Sequence, residues 1–111
     1  GKECIGSPVY FFFQLNTACL TDTSQTLNLD ELARVAKKYG LSVSVIGAAD
    51  SMGGTVSVNN VLSASRTDYI AEELIKRGGS GDKITKTHQG GISDYAPNEA
   101  NRHTKVMLHL T

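Results

Sequence analysis

A chain of 111 residues has room for one domain and one core, and its 11 lysines and arginines are matched by 11 aspartates and glutamates. That balance offers no basic field for nucleic acid or an anionic lipid surface. Its apolar runs, such as Val9–Phe13, fall far short of the roughly 20 residues a membrane-spanning helix needs, so no direct insertion is expected.

Val9–Phe13 is aromatic and β-branched throughout and predicts the first strand, with Val9, Phe11, Phe13 and Leu15 on its core face. Cys4 and Cys19 flank it with neither metal-ligand nor thioredoxin spacing. The strand is roughly 17 Å long at ~3.4 Å per residue, so a bridge would require both flanks to fold back. The preferred reading is two free thiols, with Cys19 a small buried residue. Thr21 to Thr26 is polar and reads as a loop.

Asn28 is the expected N-cap of the first helix, with Glu31 three residues on to close a capping box. Leu29, Leu32, Ala33, Ala36 and Tyr39 form its stripe, and Gly40 stops it. Leu41, Val43 and Val45 alternate with Ser42 and Ser44, a strand with one wet face, which runs into Gly47-Ala48-Ala49-Asp50. A loop bearing Gly53-Gly54 follows. The second helix is expected from about Asn59 to Arg77, its buried stripe made of Ala64, Thr67, Ile70, Ala71, Leu74 and Ile75, and Gly78-Gly79 end it. Ile84 to Gln89 predicts a short strand, and Gln89 to Asn101 a polar loop. The last strand alternates Thr104, Val106, Leu108 and Leu110 with Lys105, Met107 and His109. The order β-α-β-α-β-β, with one polar face on the strands, predicts an α+β two-layer sandwich: both helices on one face of a four-stranded sheet.

Ligands collect at the carboxyl ends of strands in such sheets, and Asp50 stands at one. The surrounding residues resemble the OmpA C-terminal-like family (the OmpA, Pal and MotB type). Its signature is a strand ending in G-H-T-D, a glycine-bearing loop, then N-x-x-L-S-x-x-R-A at the second helix. Here it stands as Gly47-Ala48-Ala49-Asp50, Gly53-Gly54 and Asn59-Asn60-Val61-Leu62-Ser63-Ala64-Ser65-Arg66. A second mark, N-R-R-V, stands as Asn101-Arg102-His103-Thr104. Ala48-Ala49 replace His-Thr, Thr67 replaces the Ala after the Arg, and His103 replaces the second Arg. The loop from Asp50 to Asn59 is one residue long for the pattern. The resemblance implies a mixed sheet, and a domain over residues 8–111 preceded by an N-terminal extension or remnant at 1–7. It implies no catalysis, metal or cofactor, and a periplasmic location as part of an outer-membrane-associated protein whose export signal has been lost. It leaves a homodimer open.

The resemblance further implies that Asp50 and Arg66 hold the free end of diaminopimelate in the stem peptide of peptidoglycan. That end carries an ammonium and a carboxylate on one carbon, which a carboxylate and a guanidinium fork match. Arg66 is expected off the buried stripe, so replacing either residue should leave the fold intact. Asn59 is expected to cap the helix or touch ligand. Leu62 lies in family register beside it. Arg102 follows a loop returning beside Asp50 and is a supporting or ligand-facing candidate. Asn101 is expected to fix loop backbone, and His88, His103 and His109 to be surface residues. Two rival classes compete with this reading. A phosphate site or enzyme lacks both G-x-x-x-x-G-K-[ST] and a spaced G-x-G-x-x-G. An interaction domain on the same fold that has lost peptidoglycan binding is favoured only by Ala48-Ala49.

Overall fold

The computed structural model describes residues 3–111. Four strands and two long helices follow in the order β1 (Cys4–Phe12), α1 (Thr26–Tyr39), β2 (Ser42–Asp50), α2 (Val56–Lys76), β3 (Ile84–Ile92) and β4 (His103–His109). Short 3-10 turns sit at Thr23–Gln25, Gly81–Lys83 and Asn98–Asn101. The sheet order is β1-β4-β2-β3. β4 is antiparallel to both β1 and β2, and β2 is parallel to β3, so the sheet is mixed as expected. Phe11, Phe13, Leu29, Leu32, Val45, Ile70, Leu74 and Val106 form one core between the helices and the sheet. β1 begins at Cys4, inside the segment read as an extension.

Several boundaries differ from the sequence expectations, each for a physical reason. Phe13 leaves β1 and makes only an isolated bridge to Leu20, while Leu15 lies beyond it and is exposed. α1 begins before Asn28 because a 3-10 turn leads into it, started by Asp22, whose Oδ1 accepts from the Ser24 amide at 2.8 Å. Glu31 therefore closes no capping box and instead accepts from Arg34 Nε at 3.0 Å. Gly40 does end α1, at φ 61°, ψ 40°. Tyr39, in the last turn, is exposed, with the Lys38 ammonium over its ring. Both cysteines are free, and Cys19 is exposed rather than buried.

α2 is capped by Thr55, whose Oγ1 accepts from the Val58 amide at 3.2 Å. Asn59 is thus a residue of the second turn and not a cap. Thr67, Ile70, Ala71 and Leu74 are buried as expected, but the stripe continues through Asn59, Ser63 and Arg66, while Ile75 is exposed and Ala64 only half-buried. The helix lies close on β2 at Gly47, where a Cβ would collide with Thr67 Oγ1 and the Ser63 carbonyl. β3 extends past Gln89 to Ile92 through a bulge: His88 pairs with Gly47 and Gly91 with Ala49, leaving Gln89-Gly90 opposite Ala48. The Gly90 amide freed there donates to Ser63 Oγ at 3.0 Å, tying α2 to the bulge. β4 stops at His109, which leaves Leu110 exposed.

Candidate functional site

Asp50 is the last residue of β2, and its carboxylate starts the loop to α2. Oδ1 accepts from the Met52 amide at 3.0 Å, fixing the side chain in an Asx turn. Oδ2 faces Arg102 Nη2 at 3.7 Å, an ion pair that stops short of a hydrogen bond. Arg102 is placed there by the 3-10 turn before β4. Asn101 holds that turn as expected: its Oδ1 accepts from the Tyr95 amide, and its Nδ2 donates to the carbonyls of Tyr95 and Asn98. Arg102 Nε is buried without a partner among the described residues.

Arg66 corrects the expectation most sharply. It is fully buried. Nε donates to the Thr17 carbonyl at 2.8 Å, Nη1 to Ala48 at 2.9 Å and Nη2 to Gln14 at 3.2 Å, and the guanidinium lies 5.4 Å from the centre of the Phe13 ring. Burial, and then the nearby Arg102 charge, lower its pKa to about 10, which still leaves it charged at neutral pH. Replacing it would therefore disturb the fold as well as any site. Three of its five N–H groups are thus taken by these carbonyls.

These side chains meet in one narrow cleft. Asp50, Asn59, Leu62, Arg66 and Arg102 all line it, so the five sequence candidates converge. Gly53, from the glycine-bearing loop of the motif, completes its wall with Leu15 and Asn16, and nothing in the sequence spacing of the last two marks them. Asn59 is buried, and its amide nitrogen comes close to β3 at Gly91, where a Cβ would stand 2.9 Å from it. The cleft therefore gathers one carboxylate and two guanidinium ions, with a half-buried leucine at its side.

His103 is the second large correction. It is buried on the helix-free face, where its Nδ1–H donates to the Ala100 carbonyl at 2.6 Å. Tyr10, Tyr95 and Phe12 set their rings edge-on to it, at 5.1, 5.3 and 6.3 Å between centres. The loop bearing Tyr95 supplies the cover that strand alternation cannot forecast. His88 is exposed and His109 half-buried, its Nε2 2.9 Å from Ser44 Oγ. Among the described residues no group of three His, Cys, Asp or Glu gathers as a metal site would require. No helix among them is long and apolar enough to cross a membrane.

A mixed four-stranded sheet under two helices, with a charged cleft where β2 meets α2, defines an OmpA-like α+β domain. The OmpA family model matches residues 12–105, and the chain belongs to the OmpA family. A comparison with curated proteins gives no significant match. Among solved structures, the peptidoglycan-associated lipoprotein of Burkholderia pseudomallei is similar at 20% identity and a TM-score of 0.77, over 89% of this chain and 88% of that one. The OmpA-like domain of FopA1 from Francisella tularensis is similar at 18% identity and 0.77, over 99% and 83%. The C-terminal domain of Helicobacter pylori MotB is similar at 17% identity and 0.76, over 93% and 85%. At these identities the likeness is one of fold.

Proposed function

We propose that this domain binds peptidoglycan non-covalently, through the free end of diaminopimelate in the stem peptide, and tethers an outer-membrane-associated protein to the wall in the periplasm. The observation that carries the reading is the cleft's charge pattern, with Asp50, Arg66 and Arg102 at positions that match the family motifs. Asp50 accepts the ligand ammonium. The ligand carboxylate takes the remaining N–H groups of Arg66 and the unpartnered Nε of Arg102, and relieves the repulsion between the two cations. Asn59 and Leu62 flank the ligand. The role is binding and not catalysis, and the partner is a polymer whose repeated peptides carry this zwitterion.

Retention on purified sacculi tests the reading. Wild-type protein is expected to be retained and to be released by free diaminopimelate. A stem peptide with lysine in place of diaminopimelate ends in a bare ammonium without the carboxylate and should compete at least tenfold less well than the diaminopimelate peptide, since an unmade charge-assisted bond costs about 1.5–3 kcal/mol. Asp50→Asn should lose retention with its circular dichroism unchanged. A wild-type domain that ignores sacculi would favour the rival interaction domain. Equal competition by the lysine and diaminopimelate stem peptides would remove the carboxylate-binding role of the two arginines.

A further inference from the structure

α2 turns two adjacent stripes toward the loop that follows β1. Asn59, Leu62 and Arg66 reach into the charged cleft. Val58, Val61, Leu62 and Ser65, at i, i+3, i+4 and i+7, line a separate open groove of about 510 Å³. Leu62 is the ridge between the two, and Asn16 borders both. The groove differs from the cleft in chemistry, because no charged side chain lines it. Its apolar wall is open to water: Val61 is 67% exposed and Val58 51%. Single exposed leucines or valines need no explanation, but several beside a charged cleft mark a binding surface.

We propose that this groove is a second subsite, resting on the diaminopimelate reading of the cleft, and that it takes the uncharged, methyl-bearing segment peptide-bonded to that diamino acid. Continuity argues for this occupant: a ligand whose free end lies in the cleft leaves it over Leu62 and beside Asn16. Chemistry argues for it too, since the valines match methyl groups while the Ser57 and Ser65 hydroxyls and the Asn16 amide can meet peptide N–H and C=O groups. No aromatic ring lines the groove on which a sugar could stack. The wall opposite α2 is held in advance, because Arg66 fixes the Gln14 and Thr17 carbonyls on either side of Asn16. Arg66 is thus a positioning residue for the groove as well as a wall of the cleft.

Calorimetry with three probes tests the subsite: free diaminopimelate, L-alanyl-γ-D-glutamyl-diaminopimelate, and the same peptide extended by D-alanine on the diamino acid. In wild-type protein the D-alanine should raise affinity about fivefold to tenfold, the return for covering part of two valines. The Val58→Gln/Val61→Gln double variant, altered only at exposed helical positions, should bind free diaminopimelate as wild type does and gain nothing from the D-alanine. Equal wild-type affinity with and without D-alanine overturns the proposal, as does a variant that keeps the gain. So does sedimentation of wild type, but not the variant, with phosphatidylglycerol–phosphatidylethanolamine vesicles, which would make the patch a membrane contact. If wild type binds none of the three probes, the reading of the cleft itself fails and the subsite falls with it.

Discussion

Arg66 is a buried cation that holds the fold and also lines the cleft proposed as the site. Its three carbonyl acceptors come from the loop after β1 and from β2, so the side chain joins two segments that share no ladder there. Arg66→Ala is expected to cost about 3 kcal/mol in urea unfolding, as three acceptors lose a charged donor and water regains some of them. Arg66→Lys should recover only part, because one ammonium cannot span three carbonyls in a plane. Asp50→Asn, at a carboxylate whose Asx turn an amide oxygen preserves, should change stability little. Equal stability of Arg66→Ala and wild type would contradict the buried role. His103 sets a pH dependence of its own. Burial holds its pKa below the ordinary 6.5, with Lys105 and Arg66 pushing the same way and the Ala100 carbonyl and Asp94 opposing. Between 6.5 and that lower folded value the unfolded chain binds the extra proton, so stability is complete above this window and falls as pH drops through it. One such group contributes a slope of at most about 1.4 kcal/mol per pH unit. His103→Phe keeps the aromatic packing without the titration, and its unfolding free energy between pH 7.5 and 5 should fall less steeply than that of wild type. Parallel slopes would exclude His103 as the source.

At the scale of elements, legibility followed chemistry. Alternating Leu41, Val43 and Val45, and Thr104, Val106 and Leu108, marked β2 and β4, because apolar and polar residues separate cleanly across those strands. α1 was legible for the same reason, its stripe being Leu29, Leu32, Ala33 and Ala36. The amino-terminal half of α2 was not, because what it buries is polar. Asn59, Ser63 and Arg66 carry no hydrophobic period, yet each is buried in the helix that packs on Gly47. Thr67 Oγ1 then lies within hydrogen-bond range of the Ser63 carbonyl and, across the sheet, of Thr87, while Ser63 Oγ accepts from Gly90. An apolar stripe would have packed as well but would have left Gly90 in the bulge without an acceptor. The five candidates at the cleft were found by their motif positions. The depth of Arg66 and the aromatic cover over His103 depend on loops whose paths no local pattern encodes. The same holds for Leu15 and Asn16, which enter the cleft wall only because Arg66 draws their loop inward.

At the scale of the whole molecule, 39 × 31 × 22 Å, the described residues present one charged cleft at the β2–α2 end. A single domain should therefore bind a soluble stem peptide weakly. Two charge-assisted contacts supply about 3–6 kcal/mol, which corresponds to roughly several millimolar to tens of micromolar, and a tenfold gain from the groove does not bring this to nanomolar. Firm adhesion has to come from geometry. A tethered domain facing a polymer of repeated peptides rebinds at an effective concentration near millimolar, with no new contact. Weak individual bonds also let the tether move as the wall is remodelled. With a formal charge of zero, the chain has no general attraction for anionic wall polymers, and moderate salt should reduce retention only in part, because the cleft's charges are largely buried and poorly screened. The expected result is a monovalent constant in the micromolar to millimolar range by calorimetry, beside clear co-sedimentation of the same protein with intact sacculi. A nanomolar monovalent constant would mean that most of the binding surface lies outside the cleft and the groove. Complete release at physiological salt would mean that the adhesion is diffuse and ionic, which a cleft of buried charges does not produce.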